Sequence, residues 1–373
     1  MPLICIDCRY IGPRPSGIAK VVQALVNHAP SLAPDLDFLL LKHPRATDRL
    51  TTAENVREVV VKAAANSPTT MWWLPFAVDL SQVDLFHATF NIMPAGLRMP
   101  CVTTVHDIMW LTNPEWCNAR YSSAIERPFY QHGINRALRR SAAIATVSEA
   151  SKREICEFAS LAADRVKVTP LGVAKECRKV AVDPRRLARL GLPPERRFVL
   201  TVGQHVPYKN HEGAVEIFAE AAASLSDVDL VFVQRINRQP DELKQLAEQL
   251  GVGKRLHFLP SVDQDDLTML YSAATALLHP SFCEGFGLPL AEAMACGCPV
   301  VTSDVSAMAE VVGDAGLMAN PHDPSGMASA LRTVLTVPGV RAALQDKGPQ
   351  RAAAMNWERF AAGNVELYRE AMQ

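Results

Sequence analysis

The stretch from His279 to Thr302, HPSFCEGFGLPLAEAMACGCPVVT, limits the fold more than any other part of the chain. It reads as a strand end, a glycine turn, a short helix and the next strand. Ala276, Leu277 and Leu278 form an apolar run that His279-Pro280 stops. Gly285 and Gly287 permit a tight backbone with little side-chain bulk. Pro289 suits the first helical position, and Gly297 followed by Pro299 ends the helix. Pro299-Val-Val-Thr302 predicts the next buried parallel strand. A helix opening near Leu288 aims backbone N–H groups and a positive dipole end at whatever precedes it, which suits an anion such as phosphate. Glu284 stands just before the turn and Glu292 one helical turn beyond it. Carboxylates are poor phosphate ligands, but they accept well from sugar and ribose hydroxyls on either side of a diphosphate. The plain alternative is a solvated turn followed by an ordinary amphipathic helix.

Glu284 and Glu292, spaced Glu-x7-Glu within Glu-Gly-Phe-Gly-Leu-Pro…Glu-Ala-Met-Ala-x-Gly-x-Pro-Val, resemble the signature of the retaining GT-B glycosyltransferases of family 4. The resemblance implies that Glu284 contacts a donor sugar and Glu292 the nucleotide ribose. It also implies that Gly285, Phe286, Gly287 and Leu288 lie along the donor.

Earlier segments extend the pattern. Leu3 to Cys8 predicts a buried strand, Arg9 to Ser16 a Pro/Gly-rich loop, and Ser16-Gly17-Ile18 the start of a helix. Gly17 permits close backbone approach to a phosphate, or simply makes a turn. Ile-Asp-x-Arg…Gly-Ile resembles how many members of the family begin, which implies the phosphate role. Asp37–Lys42, Val56–Val61 and Val83–Ala88 predict further strands. Met71-Trp-Trp-Leu-Pro-Phe76 suggests buried packing ahead of an acceptor or membrane contact. Val102-Thr-Thr-Val-His106-Asp107 places His106 at a strand's carboxyl end, where ligands gather in open α/β sheets. The resemblance implies that His106 bonds the donor sugar and that Asp107 holds the turn or the His. Residues 118–140 predict an exposed amphipathic helix whose Arg136, Arg139 and Arg140 form a basic patch.

Between Ala174 and Arg197 the alternation dissolves, and Phe198-Val-Leu-Thr-Val-Gly203 restarts it. Gly-x-x-x-Pro-x-Lys-Asn, from Gly203 to Asn210, resembles the family's phosphate loop and implies that Lys209 meets the diphosphate, neutralising the leaving charge. The chain departs from the family at Gln204 and Tyr208, where a cation is common, and at Gln234, where glycine is usual. Arg235 or Arg238 would be the compensating cation. Ser261-Val262 resembles the base-binding loop, with backbone near Val262 reading the base. The last helix, from Met355 to Tyr368, is one that in such folds packs back on the first domain.

With 373 residues the chain suits two domains. The expected division is residues 1–175 for acceptor binding, 176–197 as linker, 198–355 for the nucleotide sugar and 356–373 as the returning helix. The expected class is α/β, with two Rossmann-like domains of GT-B type facing a cleft. A net charge of −1 argues against nucleic acid as partner, although residues 1–175 carry 19 Lys and Arg against 15 Asp and Glu. That imbalance, if not chance, would favour an anionic membrane face. Nine scattered cysteines, an odd number, suggest reduced thiols, and Cys5-Ile-Asp-Cys8 lacks a second pair at zinc spacing. The chain opens without a basic-then-apolar leader, and no apolar run reaches about 18 residues. A cytoplasmic or peripheral location on the cytoplasmic face is expected.

Asp35-Leu-Asp37 opens a strand and so does not stand at a strand's carboxyl end to hold a divalent cation. The sequence therefore points to a metal-independent transferase with no cofactor beyond its nucleotide-sugar donor. GDP-mannose is the first choice of donor, with dTDP-rhamnose or a UDP-sugar as alternatives. The acceptor would be a glycan or lipid-linked oligosaccharide in surface polysaccharide assembly. A non-catalytic scaffold and a sugar-nucleotide epimerase on the same fold are the competing classes.

Overall fold

A computed structural model describes residues 1–12, 16–117, 123–234 and 240–373. Its strands form two separate sheets, each wholly parallel. The first holds β1 (Leu3–Asp7), β2 (Asp37–Lys42), β3 (Val56–Val60), β4 (Leu85–Ala88), β5 (Cys101–Thr104), β6 (Ala143–Thr146) and β7 (Val166–Val168), in the order β3-β2-β1-β4-β5-β6-β7. The second holds β8 (Arg197–Val202), β9 (Val228–Val233), β10 (Leu256–Leu259), β11 (Ala276–His279), β12 (Val300–Ser303) and β13 (Gly316–Ala319), in the order β10-β9-β8-β11-β12-β13. Parallel strands covered by helices on both faces lose the alternation of half-exposed strands. Accordingly β1, β9 and β12 are buried at every position. The charged exception on β9, Asp229, is compensated by Arg196 and by His257 at 2.9 Å.

The chain divides into two compact units. Apart from a few residues around Trp116, the first runs to Gly172 and then regains Asn356–Gln373, while the second comprises Val173–Met355. Residues 176–197, expected as a linker, lie inside the second unit and include the helix Pro184–Arg189, capped by Asp183. Ordinary contacts hold them there: Val180 N–H donates to Ser272 Oγ at 3.1 Å. In the first unit the helix Trp357–Ala371 buries Phe360, Val365, Leu367 and Tyr368. It packs on the helix Gly17–Leu32 and on β5 and β6. The Tyr368 hydroxyl sits 2.7 Å from Nδ1 of His87 on β4.

One expectation falls partly outside the described residues, and another changes. The described part of the helix anticipated over 118–140 is Ser123–Arg140, and residues 118–122 lie outside the described chain. The aromatic run at Met71–Phe76 belongs to a helix, Pro68–Ala77, of which only one side is buried. Met71 and Leu74 enter the core, while Trp72, Trp73 and Phe76 are exposed. Burial follows helical side, and the composition of the run does not set it. Among the described residues no helix is long and apolar enough to cross a membrane.

In the second sheet the chain builds outward from β8 through β9 to β10, then returns to the other side of β8 with β11. Strand order reverses between β8 and β11, and loops leaving two such neighbours part in opposite directions, opening a crevice at their carboxyl ends. The candidate site lies there.

Candidate active site

The loop after β8 begins with Gly203 at φ 150°. A Cβ at that position would stand 3.5 Å from Cδ and Cε of Lys209, an ordinary contact, so it is the backbone angle and not the lysine stem that favours glycine. A single turn of 3-10 helix, Pro207–Lys209, precedes Asn210, which adopts φ 53° and caps the helix His211–Ala221 by accepting from Gly213 N–H at 3.2 Å. The same Asn210 donates from Nδ2 to the Pro280 carbonyl at 3.1 Å. Phe282 N–H donates to the Tyr208 carbonyl at 2.8 Å. The loops after β8 and β11 are thereby tied together.

Their junction carries Glu284. Its Oε1 receives the Lys209 ammonium as an ion pair, His279 Nε2 at 2.9 Å and Ser281 Oγ at 3.1 Å. The side chains of Lys209 and Glu284 are each 11% exposed. Burial pushes the Glu284 carboxyl up, but the Lys209 charge and the His279 hydrogen bond outweigh it and hold the group down at about 2. His279 is pushed down by burial, opposed by its bond to Glu284 and reinforced by Lys209, so its Nε2–H donates as a neutral imidazole. Ser306 fixes the Glu284 backbone: its hydroxyl donates to Glu284 O at 2.7 Å and lies 3.3 Å from Glu284 N. It does so at φ 56°, an uncommon conformation for a residue with a Cβ.

Gly285, Phe286 and Gly287 lead from Glu284 into the helix Leu288–Ala295, which carries Pro289 in its first turn. Gly287 sits at φ 90°, where a Cβ would come within 2.9 Å of Leu290 Cδ1. Glu292 is 5% exposed and accepts from the Tyr271 hydroxyl at 3.2 Å. Burial, with the Glu292 charge adding to it, raises the Tyr271 phenol well above its ordinary range, so it stays a donor. Val262 is half-buried in the loop after β10, ahead of the helix Gln264–Ala273.

The structure thus joins Lys209, Glu284, Gly203 and the opening of the Leu288 helix around the β8–β11 reversal. It adds His279, Ser281, Ser306 and Tyr271, which sequence reasoning did not assign. His279 stood in plain view near Glu284, but as part of the strand stop His279-Pro280, and Ser281 carried no role. At the two positions where the resemblance implies a further cation, Gln204 is exposed and the Tyr208 ring lies with its centroid 5.2 Å from Lys209 Nζ, an aromatic face for that ammonium. Between them His205 bonds Glu212 at 2.9 Å and stacks on His211, the ring centroids 5.2 Å apart. Arg235 and Arg238 lie outside the described residues.

In the first unit His106 follows β5 and is 8% exposed. Its backbone N–H is held by Asn91 Oδ1 at 2.8 Å, and Nε2 lies 3.2 Å from the Thr89 carbonyl. Burial lowers its pKa to about 4, with the Thr89 carbonyl pulling the other way. A neutral ring donating from Nε2 carries its lone pair on Nδ1. Asp107 accepts from Met109 N–H at 3.1 Å and so holds the turn. Gly17 opens its helix behind Ser16, whose Oγ accepts from Ala19 N–H at 3.1 Å. The Asp7 and Arg9 of the Ile-Asp-x-Arg motif form a buried bidentate pair, and Arg9 reaches on to Thr70 at 2.8 Å. Cys5 and Cys8 are buried thiols raised well above the ordinary range by that burial. Among the described residues no three His, Cys, Asp or Glu side chains gather as a metal-binding group.

Two family descriptions match the chain. "Glycosyltransferase Family 4" covers residues 15–176, and "Glycosyl transferases group 1" covers residues 183–351. The O-antigen chain mannosyltransferase B of Escherichia coli is 30% identical over 294 residues, spanning 76% of this chain and 74% of that protein. WaaG, a glycosyltransferase involved in lipopolysaccharide biosynthesis, superposes with a TM-score of 0.74 at 18% identity, covering 98% of this chain and 99% of its own. HepE of Anabaena, solved in complex with UDP-glucose, gives 0.73 at 18% identity with the same coverage. Both structures share the fold, two parallel-sheet α/β domains of GT-B type. The chain is a glycosyltransferase and belongs to family 4.

Proposed function

We propose that this enzyme transfers a hexose from a nucleotide diphosphate sugar to a glycan or lipid-linked oligosaccharide, with retention at the anomeric carbon and without a metal ion. The observation that carries the reading is Glu284. It is a buried carboxylate kept ionised beside Lys209, at the strand-order reversal and directly before a glycine-opened helix. Each part has a use. Lys209 has three N–H donors, so it can hold Glu284 and still meet a diphosphate oxygen. The first-turn N–H groups of the Leu288 helix face the same anion. Glu284 accepts from sugar hydroxyls and stabilises the positive charge that grows on the anomeric carbon. Glu292, oriented by Tyr271, accepts from ribose hydroxyls.

In this scheme the acceptor oxygen bonds the anomeric carbon on the face from which the diphosphate leaves. The carbon–diphosphate bond breaks, and the diphosphate takes the acceptor's proton. His106 serves as a neutral hydrogen-bond acceptor for a donor-sugar hydroxyl through Nδ1. Mannose from GDP-mannose is the preferred donor, in keeping with the mannosyltransferase name of the 30%-identical relative. The UDP-glucose in HepE keeps a UDP-sugar as the alternative, beside dTDP-rhamnose.

A second reading, a nucleotide-sugar-binding scaffold, draws on the exposed Gln204 and the uncharged Tyr208. Thermal unfolding with GDP, UDP, dTDP or ADP in EDTA, repeated on Glu292→Ala, tests both. A bound nucleotide at a hundredfold excess over Kd should add about 2.7 kcal/mol. GDP stabilisation in EDTA that Glu292→Ala removes supports the reading, and dTDP or UDP in its place changes the donor. No stabilisation by any of the four sinks both readings, because each needs a bound nucleotide sugar.

A further inference from the structure

The helix Pro68–Ala77 leaves three large apolar side chains outside: Trp72 is 41% exposed, Trp73 55% and Phe76 86%. Scattered exposed apolar residues are ordinary, but three within two turns of one helix make a patch. The helix itself contains no charged residue. The Trp72 ring lies 6.1 Å from Phe129 and 6.0 Å from His132, so the patch continues onto the helix Ser123–Arg140. There His132, Arg136 and Arg139 follow one another at four- and three-residue spacing along one side. On the opposite border Pro75 abuts Gly96, two residues before the exposed Arg98. Asp79, two residues past the helix end, and Glu126 are the nearest carboxylates in sequence. An aromatic centre therefore has a mainly basic border.

We propose that this face of the first unit rests on an anionic lipid surface, with Trp73 and Phe76 entering the interfacial layer and Arg98, Arg136 and Arg139 meeting lipid phosphates. Indole rings favour headgroup depth, where one edge is wet and the body is not. A helix lying in the interface plane needs an apolar outward side and cationic neighbours, and both are present. A second copy of the chain fits the patch less well. A two-fold contact would set each basic border against its own equivalent. Three side chains also fall short of the roughly 1,000 Å² that a stable interface buries. The inference stands on this surface alone and is independent of the donor chemistry.

The test is flotation of the full chain with vesicles of phosphatidylcholine, alone or mixed with phosphatidylglycerol. The wild type should bind the mixed vesicles about tenfold more tightly than the neutral ones, and salt should erase the difference. Trp73→Ser with Phe76→Ser should weaken binding to the mixed vesicles by about tenfold or more, through lost apolar insertion. Arg98→Gln with Arg139→Gln should remove the preference for anionic lipid alone. All four positions are exposed, so circular dichroism should match the wild type. Absence of wild-type binding to either vesicle overturns the proposal, as does undiminished binding by the aromatic pair. A wild-type dimer that the aromatic pair converts to monomer would assign the face to a second copy instead.

Discussion

Replacing Lys209 by Met keeps most of the side-chain stem and removes the ammonium from Glu284. In the wild type that carboxyl is held at about 2 against a usual 4.5, although burial alone would raise it. A displacement of roughly 2.5 pH units corresponds to about 3 kcal/mol. The folded value lies below the unfolded one, so this stabilisation is fully present above about pH 4.5 and is lost as pH falls towards 2. In Lys209→Met the attraction is gone and the burial remains. Breaking a buried pair typically costs about 3–5 kcal/mol, which is the expected deficit of the second unit at neutral pH. The deficit should shrink on acidification. Either the carboxyl takes a proton, or His279 does, since the Lys209 charge had also suppressed that imidazole. Urea unfolding read by hydrogen exchange in β8 and β11 would follow the second unit separately from the first. The comparison is wild type, Lys209→Met, Glu284→Gln and the double variant, at about pH 7 and about pH 5. The double variant should recover much of the loss, because no buried charge is left alone. An equal deficit for Lys209→Met at both pH values, or a double variant as unstable as the two losses added, would refute the electrostatic account.

Other expectations concern single contacts. Tyr271→Phe removes one bond to a buried carboxylate, worth about 1.5–3 kcal/mol, so calorimetry should show nucleotide affinity falling about tenfold. Unchanged affinity would separate Glu292 from the ribose. Ser306→Ala deletes the hydroxyl that holds the Glu284 backbone and should slow sugar transfer about tenfold with nucleotide Kd unaltered. Ser306→Gly should be no faster, since relief of φ 56° does not restore the bonds. His106 should titrate near 4 by NMR, its charged form disfavoured by burial. Because its folded value lies below 6.5, the unfolded chain binds the extra proton between those values, and the first unit loses stability as pH falls across that window. A midpoint near 6.5 would contradict the buried, neutral ring.

What the sequence disclosed, and what it withheld, follows physical lines. A short run such as Pro299-Val-Val-Thr302 announces a doubly covered parallel strand, here Val300–Ser303, because no other element buries every position in so short a span. Gly287 and Pro289 announce a helix start because each is used for its backbone alone. Side-chain partnerships across distance were hidden. Tyr271 reaches Glu292 from another helix, 21 residues earlier. His279 and Ser281 meet Glu284 through the loop after β11, where Ser306 holds the Glu284 backbone. Tyr208, read as a lost cation, takes on meaning only once its ring is placed beside Lys209. The Met71–Phe76 run misled for a simpler reason: aromatic residues suit a core and an interface equally, and only helix orientation tells them apart.

The return of Trp357–Ala371 to the first unit sets an order on biosynthesis. Residues leave the ribosome from the amino end, and domains that close early can fold while the rest is made. This first unit cannot close early. Its helix Gly17–Leu32 and strands β5 and β6 wait for a partner encoded behind the whole of Val173–Met355. The second unit, though made later, has all its strands before the first is complete. A stop codon just after Met355 would therefore spare the half that holds Glu284 and leave the other half unsealed, with the cavity for Phe360 and Tyr368 empty. Such a nascent chain exposes apolar surface for as long as its downstream half takes to translate, which makes it a client for chaperones during synthesis.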